Sequence, residues 1–151
     1  MKMIDVGAKP KTERVAVARG FIAMQAPTIA RIKRGDVEKG DVLAAARLAG
    51  VMAAKKTPDL VPLCHPIALS GVDVEAVPRR GGVEVVATVR TVDRTGVEME
   101  ALAAVTAGLL TIYDMLKRYE RGMRIEAVEL LEKSGGRTGD WRRPRAARAA
   151  R

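Results

Sequence analysis

Cys64 and His65 are the single cysteine and the single histidine of the chain, and they stand side by side. Their loop, Lys55-Lys56-Thr57-Pro58-Asp59-Leu60-Val61-Pro62-Leu63-Cys64-His65-Pro66, carries three prolines. Proline lowers the entropy lost on ordering, so such a loop can hold side chains in fixed positions. Histidine titrates near neutrality without special tuning, at about 6.5 in model peptides, which makes His65 a candidate proton donor or acceptor. The plainer alternative is a packed structural histidine beside an inert thiol. An adjacent Cys-His pair is not a metal-ligand spacing, and no second His or Cys exists to complete a site, so no metal is expected.

Three further clusters carry chemistry. Arg94-Thr95-Gly96-Val97-Glu98-Met99-Glu100 leads into a long apolar stretch. Its two carboxylates lie about 200° apart on a helix, so they work together only if Glu98 sits at a frayed N-terminus. Acids at a helix start also complement its dipole, with no function needed. Asp114 and Lys117 are three apart, on one helix face, and Asp114 interrupts an apolar stripe. A partly buried Asp beside a Lys is a plausible general acid/base pair; a surface salt bridge is the alternative. Glu100 and Asp114 are roughly 21 Å apart along a straight helix. They cannot share one small substrate within one subunit, so either one serves elsewhere or two subunits contribute to each pocket. Lys133-Ser134-Gly135-Gly136-Arg137-Thr138-Gly139-Asp140 offers glycine N–H groups, a hydroxyl and cations that could wrap a phosphate, though it matches no P-loop. A flexible linker reads equally well.

The elements that must position these residues follow from periodicity. Glu13–Met24 alternates and predicts a strand with Val15, Val17, Phe21 and Ala23 on one side. Pro27 opens a short helix over Pro27–Arg34, which Gly35 stops. Asp41 is placed to cap a helix over Val42–Lys55, whose small residues permit close packing. Ser70–Val77 and Gly82–Val92 predict a hairpin around Pro78-Arg79-Arg80-Gly81-Gly82. Val72, Val74 and Ala76 share one face of the first strand, and Val83, Val85, Ala87 and Val89 share one face of the second. A long helix is predicted from Glu98 to Arg121, stopped by Gly122, and a last strand over Arg124–Leu131. The order predicts an α+β fold: a ferredoxin-like, four-stranded antiparallel sheet with helices on one face and one extra short helix.

Composition narrows the classes. The 151 residues are 48% hydrophobic and 30% charged, enough for one packed domain and against general disorder. Met1–Lys9 lacks an apolar signal region, and Ala101–Tyr113 is too short for a bilayer, so a soluble cytoplasmic protein with no membrane partner is expected. The net charge of +9 suggests nucleic acid, but its distribution weakens that reading. Six arginines against one acid, Asp140, lie between Arg137 and Arg151. The segment 142–151 has no apolar face to bury and is expected to be a mobile, solubilising tail on a single domain, 1–141.

Read together, the motifs resemble the MoaC family, the cyclic pyranopterin monophosphate synthases of molybdenum cofactor biosynthesis. The resemblance rests on Met3-Ile4-Asp5-Val6, Lys39-Gly40-Asp41-Val42, Ala49–Thr57, Asp59-Leu60-Val61-Pro62-Leu63-Cys64-His65-Pro66, Thr95–Leu102, Leu110-Thr111-Ile112-Tyr113-Asp114-Met115 and Lys133-Ser134-Gly135-Gly136. They run in order from Met3 to about Trp141. The resemblance implies conversion of a cyclic dihydro-GTP, bonded between C3′ and C8, into cyclic pyranopterin monophosphate with release of pyrophosphate. No redox cofactor is required by that overall change. It further implies Asp114, Lys117 and Lys39 as catalytic residues. Leu63, Cys64, His65, Glu98, Met99, Glu100, Arg14 and Lys133 match substrate-binding positions. Arg137 stands where the family often has Lys, which replaces a point donor by a planar fork. The family assembles as a homohexamer, a trimer of dimers with pockets between subunits.

The competing class is a nucleic-acid module on a ferredoxin-like sheet, which would stack bases on sheet aromatics. The chain has one Phe, two Tyr and one Trp, and the predicted strands hold only Phe21. No nucleic-acid partner is therefore expected.

Overall fold

The structure is a computed structural model and describes residues 1–144. Its elements are β1 (Thr12–Ala23), α1 (Ala26–Arg34), α2 (Val42–Lys55), α3 (Thr57–Leu60), β2 (Leu69–Arg79), β3 (Gly82–Asp93), α4 (Glu98–Leu116), β4 (Arg124–Ser134) and β5 (Trp141–Arg142). One antiparallel sheet has the strand order β2-β3-β1-β4-β5. The α+β expectation holds, but the sheet has five strands instead of four. The added strand is short: Trp141 and Arg142 pair with Lys133 and Glu132 at the β4 edge.

Local chemistry explains the helix ends. Asp41 caps α2, its Oδ1 accepting from the N–H groups of Leu43 at 3.0 Å and Ala44 at 2.9 Å. Gly35 ends α1 in the left-handed conformation at φ 67°, as the sequence suggested. α4 stops earlier than expected, at Leu116 and not Arg121. There the chain turns, with Tyr119 N–H bonding back to Leu116 O at 2.8 Å, and Tyr119 packs under the Arg31 guanidinium. The Pro-rich segment also departs from a plain loop, because Thr57–Leu60 closes one helical turn with Thr57 Oγ1 bonded to Ala53 O and Ala54 O.

The core lies between the sheet and the pair α2 and α4. Val83, Val85, Ala87 and Val89 of β3 are fully buried beneath α4, as are Leu109, Ile112 and Leu116 from above. Each of the valine, leucine and isoleucine side chains contributes about 1.5–3 kcal/mol. The two helices touch through small residues: a Cβ on Gly50 would lie 3.0 Å from Ala104 O, and one on Gly108 would lie 3.3 Å from Ala46 O. The small-residue stretch of α2 thus serves the packing within this chain.

On β1 the packed face differs from the simplest reading of its pattern. Ala16, Ala18, Gly20 and Ile22 face the helices, while Val15, Val17 and Phe21 occupy the opposite side and are half-buried. The reason is steric. A Cβ on Gly20 would lie 2.7 Å from both Leu109 and Val105, so α4 sits directly on this strand and only small residues fit beneath it. α4 is long and apolar enough to cross a bilayer by length and composition alone, but it is the core helix of this domain.

The first residues of the expected tail touch the β4 edge. Arg142 pairs with Glu132 at 3.1 Å, and Arg143 reaches Glu129 at 3.1 Å and Leu130 O at 2.7 Å. The remainder of that tail, 145–151, lies outside the described residues.

Candidate active site

The chemistry-bearing side chains gather at the two ends of α4. At its C-terminal end Asp114 accepts on both oxygens, Oδ2 from Lys39 Nζ at 2.6 Å and Oδ1 from Lys117 Nζ at 2.7 Å. Lys117 follows from helical spacing. Lys39 arrives from the α1–α2 loop, which is fastened to the end of α4 by Glu38 N–H donating to Tyr119 Oη at 3.1 Å. Lys39 Nζ also donates to the Asp114 carbonyl at 3.2 Å. The lysine hydrogen bonds, Lys117 first and Lys39 next, hold the Asp114 carboxyl down to about 2, below its ordinary 3.8. Asp114 is about half exposed, so its contact with Lys117 is the surface salt bridge that the spacing also allowed. A basic hollow lined by Tyr113, Lys117, Arg118 and Arg121 opens beside it.

At the N-terminal end Glu100 is buried, only 1% exposed. Its Oε1 lies 3.4 Å from Cys64 Sγ, and its Oε2 has no partner. Burial raises the Glu100 carboxyl above its ordinary value, and burial together with the Glu100 charge pushes the Cys64 thiol up to about 11. Cys64 is therefore a neutral donor to Glu100 and not a nucleophile. His65 Nε2 lies 2.7 Å from Ile4 O; a carbonyl only accepts, so this nitrogen carries the hydrogen and Nδ1 is left for other work. Leu63 and Met99 present exposed apolar surface around this end, and Glu98 is half-buried at the first turn of α4.

Arg14 and Lys133 belong to the same end, because β1 begins and β4 finishes where β3 passes into α4. Arg14 donates to Asp93 O at 3.3 Å and Arg94 O at 3.1 Å. Lys133 donates to Thr138 Oγ1 at 2.6 Å and to Gly139 O, so it shapes the glycine loop that carries Arg137. Among the described residues no group of three His, Cys, Asp or Glu is arranged to hold a metal ion.

Asp114, Lys39 and Lys117 thus form one cluster, and Cys64 with Glu100 forms another about 21 Å away along the helix, with His65, Glu98, Arg14 and Lys133 at the same end of the domain. The sequence reading singled out Arg94 but not Lys9 or Thr12, which the structure places beside Arg14. Arg94 stands directly before Thr95-Gly96-Val97-Glu98 and bonds to Lys9 O at 3.1 Å. Lys9 follows Met3-Ile4-Asp5-Val6 by three residues, which was the available signal.

Comparison with known proteins decides the relationship. The model of the MoaC family matches residues 3–136. The chain belongs to the MoaC family. A relative from Novosphingobium aromaticivorans, named cyclic pyranopterin monophosphate synthase, is 55% identical over 93% of this chain and 90% of its own. Proteins of the same name from Thermomicrobium roseum and from Roseiflexus sp. are 53% and 56% identical, over 94% and 93% of this chain and 87% and 90% of their own. In this member of the MoaC family both clusters fall inside the matched region.

Proposed function

We propose that this MoaC family protein is a cyclic pyranopterin monophosphate synthase, a lyase of molybdenum cofactor biosynthesis. It takes (8S)-3′,8-cyclo-7,8-dihydroguanosine 5′-triphosphate to cyclic pyranopterin monophosphate and pyrophosphate. The ring derived from purine is hydrolysed and rearranged to a pterin, and a cyclic phosphate closes on the sugar as pyrophosphate leaves. Such a reaction needs several positioned proton donors and acceptors, and cations where phosphate charge develops.

The observation that carries this reading is the Lys39–Asp114–Lys117 cluster, two ammonium groups on one carboxylate, in a chain so close to proteins of that name. Asp114, Lys117 and Lys39 move protons during ring opening, with Lys39 also holding phosphate. Arg14 and Lys133 hold the remaining phosphates, while His65 and Glu100 hold or protonate the ring system. Cys64, Leu63, Met99 and Glu98 line its binding surface.

The separation of the two clusters supports pockets built from two subunits of a homohexamer, each protomer lending its Asp114 end to a neighbour's Glu100 end. The strand order of β1 to β4 supports a ferredoxin-like reading of the sheet, with β5 an addition. We read the protein as cytoplasmic, with no redox cofactor and no nucleic-acid or membrane partner.

The test supplies purified protein with the cyclic dihydro-GTP and follows the cyclic pterin and pyrophosphate. Absence of turnover overturns the reaction. Mixing inactive Asp114→Asn and Glu100→Gln proteins after dissociation tests the shared pocket: activity returns if each pocket draws on two subunits, and stays absent if it does not.

A further inference from the structure

Lys117 and Lys39 reach Asp114 by different means. Lys117 stands three residues along from it at the end of α4, so the helix itself brings the two together. Lys39 comes from the loop 35–41, which belongs to no helix or strand, and its side chain is about half exposed. An ammonium on so long and flexible a stem is placed only as well as the backbone that carries it. Val37 is buried and anchors the loop in depth. Gly40 N–H bonds back to Val37 O at 2.9 Å and closes a turn around Glu38 and Lys39. That turn is held against the end of α4 by Tyr119, whose Oη accepts from Glu38 N–H at 3.1 Å. The phenol therefore fixes the peptide that enters Glu38, one residue before Lys39.

Tyr119 is itself held in place. Its N–H bonds to Leu116 O at 2.8 Å, and the Arg31 guanidinium lies 4.4 Å from its ring centroid. Arg31 Nη1 also donates to Asp36 O at 3.1 Å and to Asp36 Oδ2 at 2.6 Å, so one guanidinium spans the ring and the start of the loop. Arg118 pairs with the Glu38 carboxylate as well, but both side chains are largely exposed and such a pair holds weakly. Glu120 fastens the same turn elsewhere. Its carboxylate accepts from Gln25 N–H at 3.0 Å and Thr28 Oγ1 at 2.6 Å, at the opposite end of α1 from the loop.

We propose that Tyr119 is a positioning residue for the reaction, its hydroxyl setting, through the Glu38 peptide, where the Lys39 ammonium meets Asp114. The proposal rests on the catalytic role given to Lys39 and Asp114 above. The effect of Tyr119 is indirect, exerted through the loop backbone. Without the hydroxyl, Lys39 drifts and Asp114 keeps only the ammonium that its own helix supplies.

The test compares Tyr119→Phe with wild type by steady-state turnover, thermal melting and NMR titration of the Asp114 carboxyl between pH 3 and pH 5. The ring and its Arg31 contact stay, so Tm falls by only about 2–4 °C. kcat falls about three- to tenfold. Lys117 and then Lys39 hold the Asp114 carboxyl down, so it titrates at higher pH in Tyr119→Phe, as it does in Lys39→Ala. In a Lys39→Ala background the loss of the hydroxyl moves that titration no further. Glu120→Gln, which loosens the turn away from the loop, lowers Tm and leaves kcat within about twofold. An equal loss of kcat in Glu120→Gln, or an Asp114 titration that Tyr119→Phe leaves unmoved, overturns the proposal. A wild type that turns over no faster than Tyr119→Phe overturns the positioning and leaves the reaction standing. A wild type without turnover, whose Asp114 titration depends on Tyr119 only through Lys39, supports the positioning and overturns the reaction.

Discussion

The Cys64 thiol stands 3.4 Å from Oε1 of Glu100, a carboxyl that is buried and has no partner for its other oxygen. Burial and the Glu100 charge make ionisation of the thiol harder, whereas the carboxyl is raised by its own burial, against the hydrogen bond from Cys64. With the thiol pushed up to about 11, the thiolate is roughly a thousandth of the population at pH 8. Iodoacetamide at pH 8 is expected to label Cys64 roughly a hundredfold more slowly in the folded protein than in the unfolded chain. Glu100→Gln, which removes the charge, speeds the labelling. Equal rates in folded and unfolded protein would show that the thiol is not held neutral.

The same burial makes stability depend on pH. Glu100 has a folded value raised above its ordinary 4.5, so the folded state holds its proton more tightly than the unfolded chain does. Its contribution is fully present below that unfolded value and is lost as pH rises through the folded one. Glu100→Gln stays neutral throughout. Its Tm relative to wild type is therefore expected to rise between pH 5 and pH 8, measured by thermal melts across that range. A flat difference contradicts the shift.

Asp114 behaves in the opposite sense. Its carboxyl, held down to about 2, contributes ion pairing fully above its unfolded value of 3.8 and loses it only as pH falls through about 2. It stays ionised over any working range, so the pH profile of kcat between pH 5 and 9 takes no limb from it. Asp114→Asn is expected to lower kcat about 10²–10⁴-fold at every pH in that range. The exposed ion pairs contribute little to folding, so Tm is expected to move by no more than a degree or two. Loss of activity confined to one side of the profile would contradict this role.

Packing under α4 gives a test independent of catalysis. Gly20→Val must displace Leu109 and Val105, which a Cβ alone already approaches at 2.7 Å. The expected destabilisation is about 1–3 kcal/mol in urea unfolding. Gly122→Ala, where a Cβ meets nothing within 4 Å, is expected to stay within about 0.5 kcal/mol of wild type. Similar midpoints for the two variants would contradict the packing of β1 against α4.

Much of this molecule was legible from local pattern. Period-two alternation marked the buried faces of β2 and β3, and Asp41 and Gly35 marked helix ends, because these signals act within a few residues. The Asp114–Lys117 pair was legible for the same reason, as neighbours on one helix face. The inner face of β1 was not, because its alternation serves two sides equally until α4 lies on one of them. The contacts of Trp141 to Arg143 with the β4 edge were not legible either, since that edge is formed by distant strand pairing.

Local signals in the chain specify the kinds of element, their order and a set of charged and titratable residues matching one family. Which of those residues meet is settled only once the chain has folded. Lys39 reaches Asp114 across 75 positions, Cys64 reaches Glu100 across 36, and Arg94 reaches Lys9 across 85. No local period encodes such contacts. They exist because the sheet closes in the order β2-β3-β1-β4-β5 and α2 runs back along α4, which sorts the functional residues to opposite ends of one helix.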